Sequence, residues 1–237
     1  MITRLAELIA ELKAAGDPER AANLAWFFQT GKGGYGEGDR FLGIRVPVQR
    51  KIARRFSDLQ LADIEQLLAS PIHEHRFTAA EILVAQYERG TPLAQRKIFR
   101  FYIRQAKRFN NWDLVDTSAP YIVGSHLAAR PRALLRQLAH SKNVWERRIA
   151  IVSTLSFIKQ KQIEDTFAIA EVLLTDEHAL IHKAVGWALR EAGIVSRPKL
   201  LQFLGAHYEE MPRTALRYAI EHLPAAHRKR VLKGEFT

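Results

Sequence analysis

Apolar side chains recur every three to four residues along nearly the whole chain, and two-residue alternation is hard to find, so the pattern predicts helices and no sheet. Leu5, Leu8, Ile9 and Leu12 form the first stripe. Asp17-Pro18 then supplies an N-cap and a first-turn proline for a helix running to about Gln29. The stretch TGKGGYGEGDRFLG (30–43) breaks the pattern and holds six of the thirteen glycines, which predicts a loop. Further helical runs start near Val46, Leu61, Ile72, Pro92, Trp112, Ala119, Pro131, Val144, Ile163, His178, Arg197 and Pro212, separated by short Pro, Gly, Asp or Ser punctuation. Trp26 and Trp145, at helical spacing, are assigned to the core.

The helices also repeat. A short polar-then-small-apolar start recurs at Arg76-Phe77-Thr78-Ala79-Ala80, Arg147-Arg148-Ile149-Ala150, His182-Lys183-Ala184-Val185 and Arg213-Thr214-Ala215-Leu216. Taking Thr78, Arg148 and Lys183 as equivalent gives intervals of 70 and 35, with the missing unit near 113, inside NWDLVD (111–116). A helix-pair period of about 35 residues predicts an all-α chain, an α-solenoid of HEAT-like antiparallel helix pairs with a concave basic face. Residues 1–237 are expected to form a single domain, with N-terminal helices and the Gly-rich loop over 1–45 and helical repeats over 46–237. Equivalent positions of successive repeats would line one surface, which gathers Trp112, Asp116, Arg148, Lys183 and Trp187. Trp112 and Asp116 are one helical turn apart, as are Lys183 and Trp187, so each pair shares a face.

Composition narrows the chemistry. With no cysteine, disulfides, Cys-ligated zinc, iron–sulfur clusters and cysteine nucleophiles are all excluded. No run of 18 apolar residues occurs, and the charged N-terminus does not resemble a signal peptide, so a soluble, cytoplasmic protein without membrane contact is expected. The net charge of +11 asks for an anionic partner. Its placement says more. Residues 1–40 carry five bases against six acids, whereas residues 89–148 carry thirteen bases and only three acids, Asp113, Asp116 and Glu146. That central segment also has apolar residues at helical spacing, so it is a folded basic surface suited to tracking phosphates, or else a well-solvated helical face.

Several motifs are decoys. Gly31-Lys32-Gly33-Gly34-Tyr35-Gly36 satisfies G-x-G-x-x-G, but an aromatic helix (Trp26, Phe27, Phe28) precedes it and no strand–turn–helix unit surrounds it. A surface loop, or backbone amides closing over a phosphate, fits better. The nine histidines show no paired ligand spacing, so no metal is expected, and Ile72-His73-Glu74-His75 reads as a helix start. His227-Arg228-Lys229-Arg230 reads as a basic helix end. Asp113 suits a cap or a helix-dipole partner. A carboxylate such as Asp116 repels phosphate on a DNA-binding face. Either a salt bridge to a neighbouring arginine or a need for a fixed anion, such as stabilising a cationic sugar, accounts for it.

NWDLVDTSAPYIVG (111–124), SKNVWERRIAIV (141–152) and IHKAVGWALREAG (181–193) resemble three signature segments of the AlkD-like DNA alkylation repair family, HEAT-like-repeat alkylpurine DNA glycosylases. GEGDRFLGIRVP (36–47) resembles that family's N-terminal loop and following helix, and the likeness spans roughly 24 to 220. The resemblance implies that Trp112 and Asp116 are the active-site tryptophan and carboxylate, Trp187 the second aromatic and Arg148 the phosphate-holding arginine. Arg147 is the alternative to Arg148, because adjacent helical residues point about 100° apart. Lys183 and Arg190 are taken as further DNA contacts, and Phe27 lies where some members carry a DNA-contacting aromatic. The Gly-rich loop is longer than in the best-known members.

The implied reaction is hydrolysis of the N-glycosidic bond of cationic N3- or N7-alkylated purines in double-stranded DNA by a monomeric, cofactor-free, monofunctional enzyme. A cationic base leaves without a general acid, so one carboxylate suffices where ordinary glycosidases use two. Asp116 would stabilise positive charge on the deoxyribose and orient water, while Trp112 and Trp187 present π faces to it. Two other classes remain: a non-catalytic HEAT-repeat protein binding damaged or branched DNA, and a protein-scaffolding array.

Overall fold

The structure, a computed structural model, describes residues 3–236 and is helical throughout. Among the described residues no strand forms; one isolated bridge links Arg40 to Ile72. Two compact units divide the chain, Met1–Ile122 and Val123–Thr237.

The first unit contains α1 (Arg4–Ala14), α2 (Pro18–Phe27), α3 (Val46–Arg55), α4 (Leu61–Leu68), α5 (His73–Arg89), α6 (Pro92–Arg104), a 3-10 turn (Ala106–Arg108) and α7 (Trp112–Ala119). The helix starts are chemically marked. Asp17 accepts from the Arg20 amide at 3.1 Å with Pro18 in the first turn, as expected, and Thr91 caps the Ala94 amide ahead of Pro92. Helix α5 is the hub, packing against α1, α3, α4, α6 and α7.

Its first turns are unusual, since His73, Glu74, His75 and Arg76 are all buried, and each has a partner. The Glu74 carboxylate accepts the backbone N–H groups of Leu42, Gly43 and Ile44 at 2.9, 2.7 and 3.3 Å, fixing the turn that leads from the Gly-rich loop into α3. Gly43 sits there with φ +84°, and a Cβ would fall 2.0 Å from the Asp17 carbonyl oxygen. His75 Nδ1 meets Ser70 Oγ at 2.9 Å, and Arg76 donates to the Ser70 carbonyl at 2.7 Å.

The second unit contains α8 (Ser125–Leu127), α9 (Ala133–Ala139), α10 (Val144–Ser153), α11 (Leu155–Ile158), α12 (Glu164–Val172), α13 (Ala179–Val195), α14 (Arg197–Ala206), α15 (Arg213–Ala219) and α16 (Ala225–Val231). Its hub is α13, which packs against α10, α11, α12, α14 and α15. Gly186 allows the close approach to α15: a Cβ there would lie 2.5 Å from both the Ala215 carbonyl oxygen and the Tyr218 Cβ. Trp145 is core, as expected. The basic run 228–230 does close the last helix, α16.

Helices α5, α7, α10, α13 and α15 begin at residues 73, 112, 144, 179 and 213, so successive starts are 32 to 39 residues apart, close to the period read from the sequence. The all-helical architecture is consistent with the HEAT-like α-solenoid class.

Two expectations need correction. No separate helix starts near Ala119. Pro120 has no N–H to donate, and the run begun at Trp112 passes through a π turn over Pro120–Gly124 into α8. Trp26 is not core but 82% exposed. Leu24 and Phe28 lie one turn apart and face inward, and a residue two positions from each points to the opposite side of the helix.

Replacing Glu74 by alanine leaves three amides without their acceptor and is expected to destabilise the protein by about 3 kcal/mol or more. Glu74→Gln, which keeps an acceptor oxygen, should cost less than half of that. Urea unfolding of the two variants beside the wild type measures the difference.

Candidate functional site

The candidate residues fall into two sets, one in each unit. In the first, Asn111 starts α7 by accepting the Trp112 amide at 2.8 Å. Leu114, Val115, Ser118 and Ala119 form the buried face of the helix. Trp112 and Asp116 share its other face, both partly exposed. The buried face is latched by a polar chain: the Tyr102 hydroxyl lies 2.8 Å from Ser118 Oγ, which donates to the Leu114 carbonyl at 2.6 Å. Burial pushes the Tyr102 phenol well above its ordinary pKa, and the negative charge of Asp116 adds to the effect.

Trp112 is held on several sides. Its indole N–H donates to the Tyr35 hydroxyl at 3.3 Å, and Tyr35 donates to the Phe27 carbonyl at 3.2 Å. The indole stacks on Phe28 (5.4 Å, 14° between planes) and meets Phe27 edge-on at 6.3 Å. Phe28 in turn contacts Phe41 and His73 at 5.1 and 4.9 Å, and Phe41 stacks on His73 at 4.6 Å. The Gly-rich loop can press against α2 because two of its glycines lack side chains. A Cβ on Gly34 would lie 1.8 Å from the Gln29 carbonyl oxygen, and one on Gly36 would lie 2.3 Å from that of Phe28.

Beneath the aromatics lies a buried charge cluster. His73 reaches Asp113 through Nε2 at 2.8 Å and Asp39 through Nδ1 at 3.3 Å, and Arg76 pairs with Asp39 at 2.6 Å. Asp113 also accepts the Leu114 amide at 2.9 Å, so it is a helix-start acceptor, as its position suggested, and a histidine partner as well. Burial disfavours the imidazolium, but the Asp113 charge and the hydrogen bonds to Asp113 and Asp39 outweigh it, and His73 is pushed up to about 9 from 6.5. For Asp39, burial likewise opposes the charged form, and His73 and Arg76 still hold its carboxyl below the usual range.

In the second unit, Arg148 is buried on α10 and donates to the Leu180 carbonyl, in the first turn of α13, at 2.6 Å. Arg147 takes Asp176 in a two-pronged pair (2.5 and 3.3 Å) and also donates to the Ser141 and Lys142 carbonyls. Lys183 is exposed and Trp187 half-buried on one face of α13. Arg190 is paired with both Glu191 and Glu221. Phe27, at the end of α2, is 54% exposed.

Sequence reasoning missed Tyr35, Asp39, Phe41, His73 and Arg76. The available signal was four consecutive polar residues, His73 to Arg76, opening a helix that continues with apolar Phe77, Ala79, Ala80, Ile82 and Leu83. Among the described residues no group of three or more His, Asp or Glu side chains is placed to hold a metal, and no helix is long and apolar enough to cross a membrane.

The chain matches the family model described as DNA alkylation repair enzyme over residues 8–223, and it belongs to that family. A solved structure described as "Predicted DNA alkylation repair enzyme from Enterococcus faecalis" aligns with a TM-score of 0.67 at 18% identity, covering 89% of this chain and 97% of that one. At that identity the likeness bears on the fold. No curated protein matches the chain.

The His73 cluster sets a pH signature. Because the folded-state pKa is raised, its stabilisation is fully present below about pH 6.5 and is lost as pH rises through about 9, an effect on the order of 3 kcal/mol. The depressed Asp39 carboxyl acts at the other end, its contribution fading as pH falls below its ordinary value of 3.8. Urea midpoints measured from pH 6 to 10 should fall steeply for the wild type. His73→Gln should flatten that fall, and an equally steep curve for the variant would show that the histidine is not its source.

Proposed function

We propose that the protein is a monofunctional DNA glycosylase acting as a monomer on double-stranded DNA, releasing cationic N3- and N7-alkylated purines such as 3-methyladenine and 7-methylguanine. The observation that carries this reading is the placement of Trp112 and Asp116 on one partly exposed face of α7, in a chain that belongs to the DNA alkylation repair family. Asp116 supplies the fixed negative charge for the oxocarbenium-like sugar as the glycosidic bond lengthens, and it orients the water that attacks the sugar carbon. The alkylated base departs as a neutral purine, so the leaving group requires no proton donor. Trp112 offers an indole face to the developing cation, worth about 0.5–2 kcal/mol.

The rigid mounting of Trp112 supports its role, since a group that stabilises a transition state acts best when it does not reorganise. Lys183 and Phe27 are the proposed DNA contacts, and Arg148, buried and bonded to the Leu180 carbonyl, would reach a phosphate only by leaving that partner. Arg147 and Arg190, each paired with acids, would reach a phosphate only by exchanging those partners.

The basic segment gives the reading its electrostatic support. On α6, Arg96, Arg100 and Arg104 are spaced four residues apart and so form one stripe, and Lys97, Lys107 and Arg108 are exposed beside them. No acid occurs between Arg89 and Asp113 to neutralise them. Such a stripe suits a phosphate backbone.

The test is incubation with methylated genomic DNA followed by chromatography of released bases. The wild type should release 3-methyladenine and 7-methylguanine, and neutral lesions such as uracil should remain. Asp116→Asn should lower release by at least about 100-fold while retaining DNA binding. Binding without any release by the wild type would make the protein a damage-binding module instead. Changing Arg96, Arg100 and Arg104 to Gln should reduce the salt dependence of binding by about 0.9 in log–log slope for each phosphate that is no longer neutralised.

A further inference from the structure

The end of α2 carries the most exposed large hydrophobic side chain described, Trp26 at 82%, beside Phe27 at 54%, and no residue of that helix is buried. Scattered apolar side chains are common on protein surfaces, so exposure alone decides nothing. Three features of the surroundings do.

The first is continuity with the α7 site. Phe27 meets the Trp112 ring edge-on, and its carbonyl is bonded by the Tyr35 hydroxyl that also accepts from Trp112. Trp26 precedes Phe27 in that segment, with its indole turned to the side of the helix away from Phe28, so it extends the segment's outer face and not the aromatic layer.

The second is charge. Residues 30–43 carry two acids and two bases, and one of the acids, Asp39, is turned to internal partners. The Glu37 carboxylate accepts the Gly33 amide at 2.9 Å, and Asp39 closes on Arg76 and His73. Lys32, Arg40 and Glu37 stay exposed, so with Asp39 matched inside, a loop of zero formal charge presents two cations and one anion outward.

The third is the backbone. Unlike Gly34 and Gly36, Gly31 has nothing within 4 Å of where a Cβ would lie, and no positive φ demands a glycine there. A residue without a side chain at an exposed, unpacked position leaves the main chain open to close approach by a partner.

From these we infer that Trp26 and the loop from Gly31 to Arg40 form a second DNA-contacting surface, which grips the sugar–phosphate backbone of duplex DNA. Lys32 and Arg40 meet phosphates, the bare backbone at Gly31 lets the strand approach, and the indole of Trp26 covers a deoxyribose face. Its contacts carry no base information, so it adds affinity for damaged and undamaged duplex alike. The inference rests on the proposed function in one respect, that DNA is the partner. It assigns a role to Trp26, which belongs to none of the proposed catalytic groups.

The test is equilibrium binding of the full chain to a fluorescently labelled undamaged duplex across a range of salt concentrations. Trp26→Ala should weaken binding about tenfold with little change in salt slope, because it removes an apolar surface. The Lys32→Gln, Arg40→Gln double variant should weaken binding and reduce the slope by about 0.9 for each phosphate left without its cation. Both should melt with the wild type, since the altered side chains are exposed; a large drop in Tm for Trp26→Ala would make the residue structural and overturn the inference. Wild-type affinity and slope in all variants would overturn it while leaving the proposed function intact. Absence of any DNA binding by the wild-type protein would overturn both. A dimer that Trp26→Ala dissociates would assign the indole to self-association and likewise overturn it.

Discussion

The first unit depends on one buried cation held between two carboxylates. His73 lies in the first turn of the hub helix α5, Asp39 in the Gly-rich loop and Asp113 in the first turn of α7. Those three segments are far apart in sequence, and the imidazolium is where they meet. Burying a lone charge is costly, but here each ring nitrogen has an anionic partner and Arg76 gives Asp39 a second cation. The aromatic layer rests on the same ring: Phe41 and Phe28 contact the imidazole, and Trp112 stacks on Phe28. The position of the candidate tryptophan is therefore set from below by electrostatics and from the side by packing.

This arrangement also alters the meaning of the acids in the basic segment. Asp113 and Asp116 stand three residues apart, and composition alone treats them as two similar exceptions. Asp113 is bound to His73 and to the Leu114 amide, which gives it a structural reason to exist. Asp116 lies on the face shared with Trp112, and its charge reaches Tyr102. The positive field of α6 and its flanks thus lies beside a helix that carries one internally matched carboxylate and one on a partly exposed face.

Much of the fold was legible because it is written in local chemistry. The Asp17-Pro18 start, the caps before α6 and the recurring helix starts all follow from spacing and from the needs of unpaired amides. The pairing of Trp112 with Asp116 followed from one helical turn. What escaped was tertiary. Nothing local distinguishes Trp26 from Trp145; only the inward direction of Leu24 and Phe28 decides it. His73 looked like an ordinary helix start because its partners lie 34 and 40 residues away. Arg147 and Arg148, adjacent and alike in sequence, part company because Asp176 captures the first and the Leu180 carbonyl receives the second.

Glu74 carries a further implication. Successive backbone N–H groups that converge on one point make a small anion-binding nest, the device with which many proteins seat a phosphate. Leu42, Gly43 and Ile44 form such a convergence at the end of the glycine-rich loop, and a carboxylate of the same chain fills it. The anion seat at that end of the loop is therefore filled from within. Its converging amides already hold their anion, and the loop offers a partner only its outward side chains and bare backbone.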